Sequence, residues 1–215
     1  SKALDYFKKS LKLDLSYFGE NHPSVASGYY NIGYVYFAQG DYSKALEYFE
    51  EVLKIRLSVY GENHSRVASV YNDIGEIYSV QGDDFKALDY FKKSLKIVLS
   101  VYGENHSQVS SIYDHIGEIY FAQKDYSKAL YYFEESLKIR LSLFGENHPE
   151  VALSYYSIGS LYIIQGDKSK ALNYYEKSLK IRLSVYGENH PLTKEIMDLI
   201  NVANSKVLQS PETTK

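Results

Sequence analysis

Gly19-Glu20-Asn21-His22 is the first of five copies of one tetrapeptide. It returns as Gly61-Glu62-Asn63-His64, Gly103-Glu104-Asn105-His106, Gly145-Glu146-Asn147-His148 and Gly187-Glu188-Asn189-His190, each copy 42 residues after the last. A fixed period of roughly 20–50 residues marks a stacked-repeat architecture, in which one supersecondary unit is copied and buries its apolar face on its neighbour. Such a chain has no single core, so its 215 residues say little about domain count. Function is expected on an extended surface.

Cutting at Ser1, Ser43, Phe85, Ser127 and Ser169 gives blocks 1–42, 43–84, 85–126, 127–168 and 169–210, one repeat array followed by a tail, 211–215. Each block predicts two helices. Ala45, Leu46, Phe49, Leu53 and Leu57 form an apolar stripe of helical period, widened by Tyr48, Ile55 and Val59. Gly61 stops this helix in the left-handed conformation that glycine adopts most easily. Asn63 is expected as N-cap of the next helix, with capping boxes in Asn105/Gln108 and Asn147/Glu150. That helix buries Val25, Ala26, Tyr29, Ile32, Gly33 and Tyr36 in the first full copy and ends in the Gln39-Gly40-Asp41 turn; Lys124 replaces this glycine once. Connections of about four residues require antiparallel neighbours. In the last copy Asn201 and Asn204 stand where Gly and Tyr stand elsewhere. A solvated capping helix over about 192–208 is predicted, with 211–215 disordered. Ala3, Leu4 and Phe7 begin a second helix without its first, so the sequence is expected to be a piece of a longer array.

The net charge of −3 supplies no excess of Lys and Arg for a phosphate backbone, and nucleic acid is not expected as a partner. There is no cysteine, which excludes a disulfide framework and Cys-based zinc or redox sites and is compatible with a reducing, cytoplasmic setting. No apolar run of about 18 residues and no basic-then-apolar leader occur, so no membrane partner is expected. The repeated histidines are not read as a metal site: equivalent residues lie at least one helix layer of ~8–10 Å apart, whereas zinc ligands sit ~2 Å from their ion. No nucleophile–base–acid order, phosphate-cradling loop or paired catalytic carboxylates are present, so neither enzyme activity nor a cofactor is expected. The sequons at Asn63 and Asn105 are read as incidental, and the 24 tyrosines as mostly structural.

The run from Tyr29 to Phe49, with Tyr29, Gly33, Tyr36 and Ala45 returning as Tyr71, Gly75, Tyr78 and Ala87 and in the later copies, resembles the tetratricopeptide repeat. That resemblance implies an all-α, right-handed superhelical solenoid of antiparallel helix pairs. The usual repeat has 34 residues; here eight are added and Leu57 stands in place of the usual proline, a longer form similar to the repeats of kinesin light chains and of sensor arrays in some signalling NTPases.

In the family the first helix of each pair lines the ligand groove. The corresponding positions here are Tyr30, Asn31, Tyr34 and Phe37 in the first copy, and Asn72, Asp73 and Glu76 in the second. Asp114, His115, Glu118 and Phe121 follow in the third, and Tyr156, Ser157, Ser160 and Ile163 in the fourth. These residues change between copies while the packing residues do not. His115 is read as a solvated polar side chain. The resulting expectation is a protein-interaction scaffold binding a peptide in its groove, a basic peptide with aromatic or aliphatic anchors because Asp73, Glu76, Asp114 and Glu118 carry charge one helical turn apart. The alternatives are a structural spacer or sensor array of a larger signalling NTPase, or a kinesin-light-chain-like cargo adaptor. Oligomeric state is not legible.

Overall fold

Two kinds of cap divide the chain into helices. Asp41, Asp83, Asp125 and Asp167 each accept the backbone N–H three residues on, at 3.1–3.3 Å, and start a 19-residue helix. A glycine with φ near +78° closes each of these helices. The histidines His22, His64, His106 and His148 start 16-residue helices through Nδ1, which accepts the N–H two residues on at 3.1–3.2 Å. The expected caps Asn63, Asn105 and Asn147 are therefore one residue early. The reason is aromatic packing: the imidazole stacks on the last ring of the preceding helix, Tyr60–His64 at 4.5 Å and Phe144–His148 at 4.4 Å, and this fixes its Nδ1 over the open amides. The asparagines stay exposed, and Asn105 donates instead to Ser142 Oγ at 3.1 Å.

The computed structural model describes residues 2–205. Among them are ten helices: α1 (Lys2–Phe18), α2 (Pro23–Ala38), α3 (Tyr42–Tyr60), α4 (Ser65–Val80), α5 (Asp84–Tyr102), α6 (Ser107–Ala122), α7 (Tyr126–Phe144), α8 (Pro149–Ile164), α9 (Lys168–Tyr186) and α10 (Pro191–Ser205). No strand occurs among the described residues. The chain divides after Glu104 into two compact units. The predicted terminal helix is present as α10; residues 206–208 of that prediction, and 211–215, lie outside the described residues.

In the first unit α2 pairs with α3 and α4 with α5, while α1 lies on α2 and α3 on α4. One core runs through it, from Leu11 through Val25, Ile32, Phe49 and Val52 to Val70, Ile74 and Ile77. Tyr36 stacks on Tyr48 at 5.5 Å, and Tyr29 tilts against the same ring at 6.0 Å, so the recurrent tyrosines do lie in the helix seam. At the buried position where α3 has Val52, α5 has Ser94, and its hydroxyl donates to the Ala68 carbonyl at 2.8 Å, so no polar group is orphaned there.

The second unit repeats the plan, with pairs α6/α7 and α8/α9 and α10 closing on α9. Ala129 and Phe133 of α7 pack with Ile158 and Leu161 of α8, and Val151 and Ala152 of α8 with Ile181 of α9. Glycine sets the closeness of the pairs. A Cβ on Gly117 would lie 2.7 Å from Phe133 Cε1, so the ring occupies the space a side chain would need.

Candidate protein-interaction face

The polar chemistry of the first helices is organised by an arginine on the second helix of a pair: Arg56, Arg140 and Arg182, 42 or 84 residues apart. The sequence reading passed over them, although their recurrence beside the buried Ile55, Ile139 and Ile181 was available as a signal. Each reaches from its own helix toward the first helix of its pair and of the next.

In the first unit the Arg56 guanidinium lies 5.3 Å from the Tyr30 ring centroid and donates to the Arg66 carbonyl at 2.7 Å, joining α2, α3 and α4. The Tyr30 hydroxyl is hydrogen-bonded to Asp73 of α4. Burial, then the Asp73 charge, pushes the Tyr30 phenol up to about 12. Asp73 is half-buried; burial first, and then the neighbouring Glu76 charge, push its carboxyl up to about 7. Its Oδ2 accepts no hydrogen bond among the described residues. Glu76 is also raised by burial, opposed by the 2.7 Å hydrogen bond it accepts from Asn72 Nδ2. Asn31 and Tyr34 are exposed, and the Tyr34 ring is 6.4 Å from Phe37, which packs on the core beside Tyr42.

In the second unit Arg140 is 3 % exposed and holds Asp114 Oδ2 at 2.6 Å, Glu150 Oε2 at 3.1 Å and Ser154 Oγ at 2.8 Å, while its Nε and Asp114 Oδ1 are buried without a hydrogen-bond partner among the described residues. Burial raises Asp114, against the pull of Arg140. The charge at Asp114 is thus answered inside its own unit. His115 is half-buried, not solvated as expected; burial, then Arg140, lower its imidazole to about 4. Glu118 is exposed, and Phe121 is half-buried, 5.9 Å from Tyr126. Arg182 lies 5.0 Å from the Tyr156 ring, whose hydroxyl donates to Glu195 Oε1 at 3.1 Å. Ser157 and Ser160 are half-buried, with Ser160 Oγ 3.2 Å from the Tyr175 hydroxyl, and Ile163 is exposed. Of the four carboxylates read as one set, Asp73 and Glu76 belong to the first unit and Asp114 and Glu118 to the second.

Among the described residues no three His, Asp or Glu side chains come together as a metal-ligand set. No described helix is long and apolar enough to cross a membrane. In each unit the first helices present aromatic surface and carboxylates, and the arginines of the second helices already hold partners.

A family model described as tetratricopeptide repeat matches residues 1–58, 27–97, 66–142 and 108–184. Among solved structures, BtubC (BKLC) from P. vanneervenii is similar with a TM-score of 0.76 and 17% identity, over 100% of this chain and 94% of that one. A kinesin-light-chain-like protein of Podospora anserina with nearly identical repeats is similar with a TM-score of 0.72 and 17% identity, over 85% of this chain and 86% of the other. At this identity the likeness speaks to the fold alone. No curated protein sequence matches the chain.

Proposed function

The chain belongs to the tetratricopeptide repeat family, an all-α scaffold typical of protein–protein interaction, and from that premise we propose that the first helices of the pairs, α2 and α4 in the first unit and α6 and α8 in the second, line peptide-binding groove surface in each unit. The ligand is an extended or helical segment of a protein partner, basic in charge and carrying aromatic or aliphatic anchors. Mechanism is recognition without chemistry, no cofactor takes part, and the setting is cytoplasmic.

The observation that carries this reading is the half-buried Asp73 beside Glu76, two neighbouring carboxylates whose like charges repel, in the same unit as the Tyr34 ring, which is 58% exposed. A ligand Lys or Arg would supply the counter-charge, and a neighbouring apolar side chain would cover the ring. Asp114 offers less, because Arg140 already holds it. Exposed Glu118 adds long-range attraction that salt screens over ~8–10 Å near physiological ionic strength.

A peptide-array screen at two salt concentrations, run with wild type, Asp73→Lys and Glu118→Lys, tests the proposal. Basic peptides should be selected, bound more weakly at high salt, and lost in the charge reversals. Selection of acidic peptides, or indifference to both substitutions, would overturn it.

A further inference from the structure

The last helix pair departs from the first and third copies at one place on this face; the second copy has Ser79 and Asp84 there. In the first copy Phe37 and Tyr42 lie with ring centroids 5.8 Å apart on the core that includes Ile77. In the third, Phe121 and Tyr126 lie 5.9 Å apart on the core that includes Leu161. The equivalent residues of the fourth copy are Ile163, Lys168 and Ala203. Two rings are replaced by smaller or straighter side chains, and the opposing Ile or Leu by a methyl.

A recess of about 180 Å³ opens there, lined by Ile163, Lys168, Tyr175, Leu199, Val202 and Ala203. Its walls have also changed chemistry. Leu199 and Val202 stand where other copies have Asp73 and Glu76, or Ser157 and Ser160. Tyr175 is 2% exposed and forms the inner wall, its hydroxyl held by Ser160 at 3.2 Å, so the recess meets an aromatic face rather than an open polar group. An apolar cavity of ~150 Å³ in a protein interior admits benzene. The space therefore fits one ring, the group that the first and third copies supply from their own chain.

We propose that the recess between α8, α9 and α10 is a subsite for one aromatic side chain, phenylalanine- or tyrosine-like, of the bound peptide. The proposal rests on the scaffold reading above and gives its aromatic anchor a place. The ring lies against Tyr175 between Ile163 and Val202, and the Lys168 ammonium at the rim reaches its face, as Lys170 already lies 5.0 Å from the Tyr162 ring.

Toluene and 4-methylphenol, the side chains of Phe and Tyr without a backbone, are the probes, read by NMR on the methyl groups of Ile163 and Val202. Both should shift those methyls in wild type. The Val202 methyls should not shift in the double variant Ile163→Phe/Lys168→Tyr, which installs the residues of the first and third copies, nor should either set in Ala203→Leu, which fills the recess from the opposite wall. Peptides selected in the array screen should lose about tenfold in affinity in either variant, equivalent to ~1.4 kcal/mol. Absence of shifts up to probe saturation, or equal shifts in both filled variants, overturns the subsite. Selected peptides that bind the filled variants unchanged also overturn it while leaving the groove reading intact. Concentration-dependent self-association that both filled variants abolish would assign the recess to a second copy of the chain and overturn the proposal. Probe binding that appears only after deletion of residues 206–215 would assign it to the chain's own segment, with the same result.

Discussion

Replacing Gly117 by alanine inserts a methyl group into the seam between α6 and α7. The new Cβ would stand 2.7 Å from Cε1 and 2.8 Å from Cδ1 of Phe133, well inside contact distance. Phe133 is 3% exposed and packed with Ala129, Ile158 and Leu161, so its ring has no free direction in which to swing. Overpacking of this kind costs ~1–3 kcal/mol. The opposing gain is the backbone entropy that alanine saves over glycine within a helix, about 0.5–1 kcal/mol. At a 2.7 Å contact the clash outweighs the gain, and a net loss of up to roughly 2.5 kcal/mol is expected from these two magnitudes. Gly33, 84 residues earlier in the same position, is the internal control. There the nearest atoms would be Tyr48 Cβ at 3.2 Å and Phe49 Cε1 at 3.3 Å, a contact that small shifts relieve, so Gly33→Ala should be close to neutral. Leucine at 117, or at the fully buried Ala129, should cost more than alanine at 117, and the damage should spread to the adjoining pair because neighbouring repeats stabilise one another. Urea titration by far-ultraviolet circular dichroism gives the ranking, and amide hydrogen exchange in α6 and α7 locates the loss. Gly117→Ala equal to or more stable than Gly33→Ala would refute the packing argument.

Three further outcomes follow from local geometry. His148→Ala should lose ~0.5–2 kcal/mol, the usual value of an N-cap, with faster exchange in the first turn of α8, while Asn147→Ala should stay within ~0.5 kcal/mol; a larger effect at Asn147 in urea titration would restore asparagine as the cap. Asp73 has a folded-state pKa of about 7 against an ordinary value of 3.8, so the folded chain holds the proton more tightly; its contribution is full below pH 3.8 and is lost as pH rises through 7. Asp73→Asn should therefore raise stability above neutral pH relative to wild type by up to roughly 4 kcal/mol, at 1.36 kcal/mol per pH unit, and an unchanged difference between pH 4 and 8 in denaturant midpoints would contradict the assigned burial. Lys124 alone among the described non-glycine residues has positive φ, at 63°, in the turn where other copies carry glycine; Lys124→Gly should stabilise by about 1 kcal/mol, read as a raised melting temperature.

The 42-residue period was sufficient to give the helix pairs, because a helix that repeats its apolar stripe at fixed spacing has only its own copies to bury it against. Helix ends were legible where one residue type solves a backbone problem alone, as the positive-φ Gly61 does, although the cap that Asp41 supplies to the next helix was not read from its turn. Where two parts of the chain solve it together, the sequence was not enough. His64 caps α4 because the Tyr60 ring fixes its imidazole, and nothing in the string Gly-Glu-Asn-His separates that from a cap by Asn63. The same limit applies to charge. Asp73 and Asp114 read alike as groove acids, yet Asp114 meets the Arg140 guanidinium while Asp73 meets the Tyr30 hydroxyl. His115, read as solvated, is half-buried. Spacing along a helix says which residues share a face, since that depends only on 100° per residue. Which partner a polar side chain finds depends on the next helix and the reach of its side chains, and only the packed structure holds that distance.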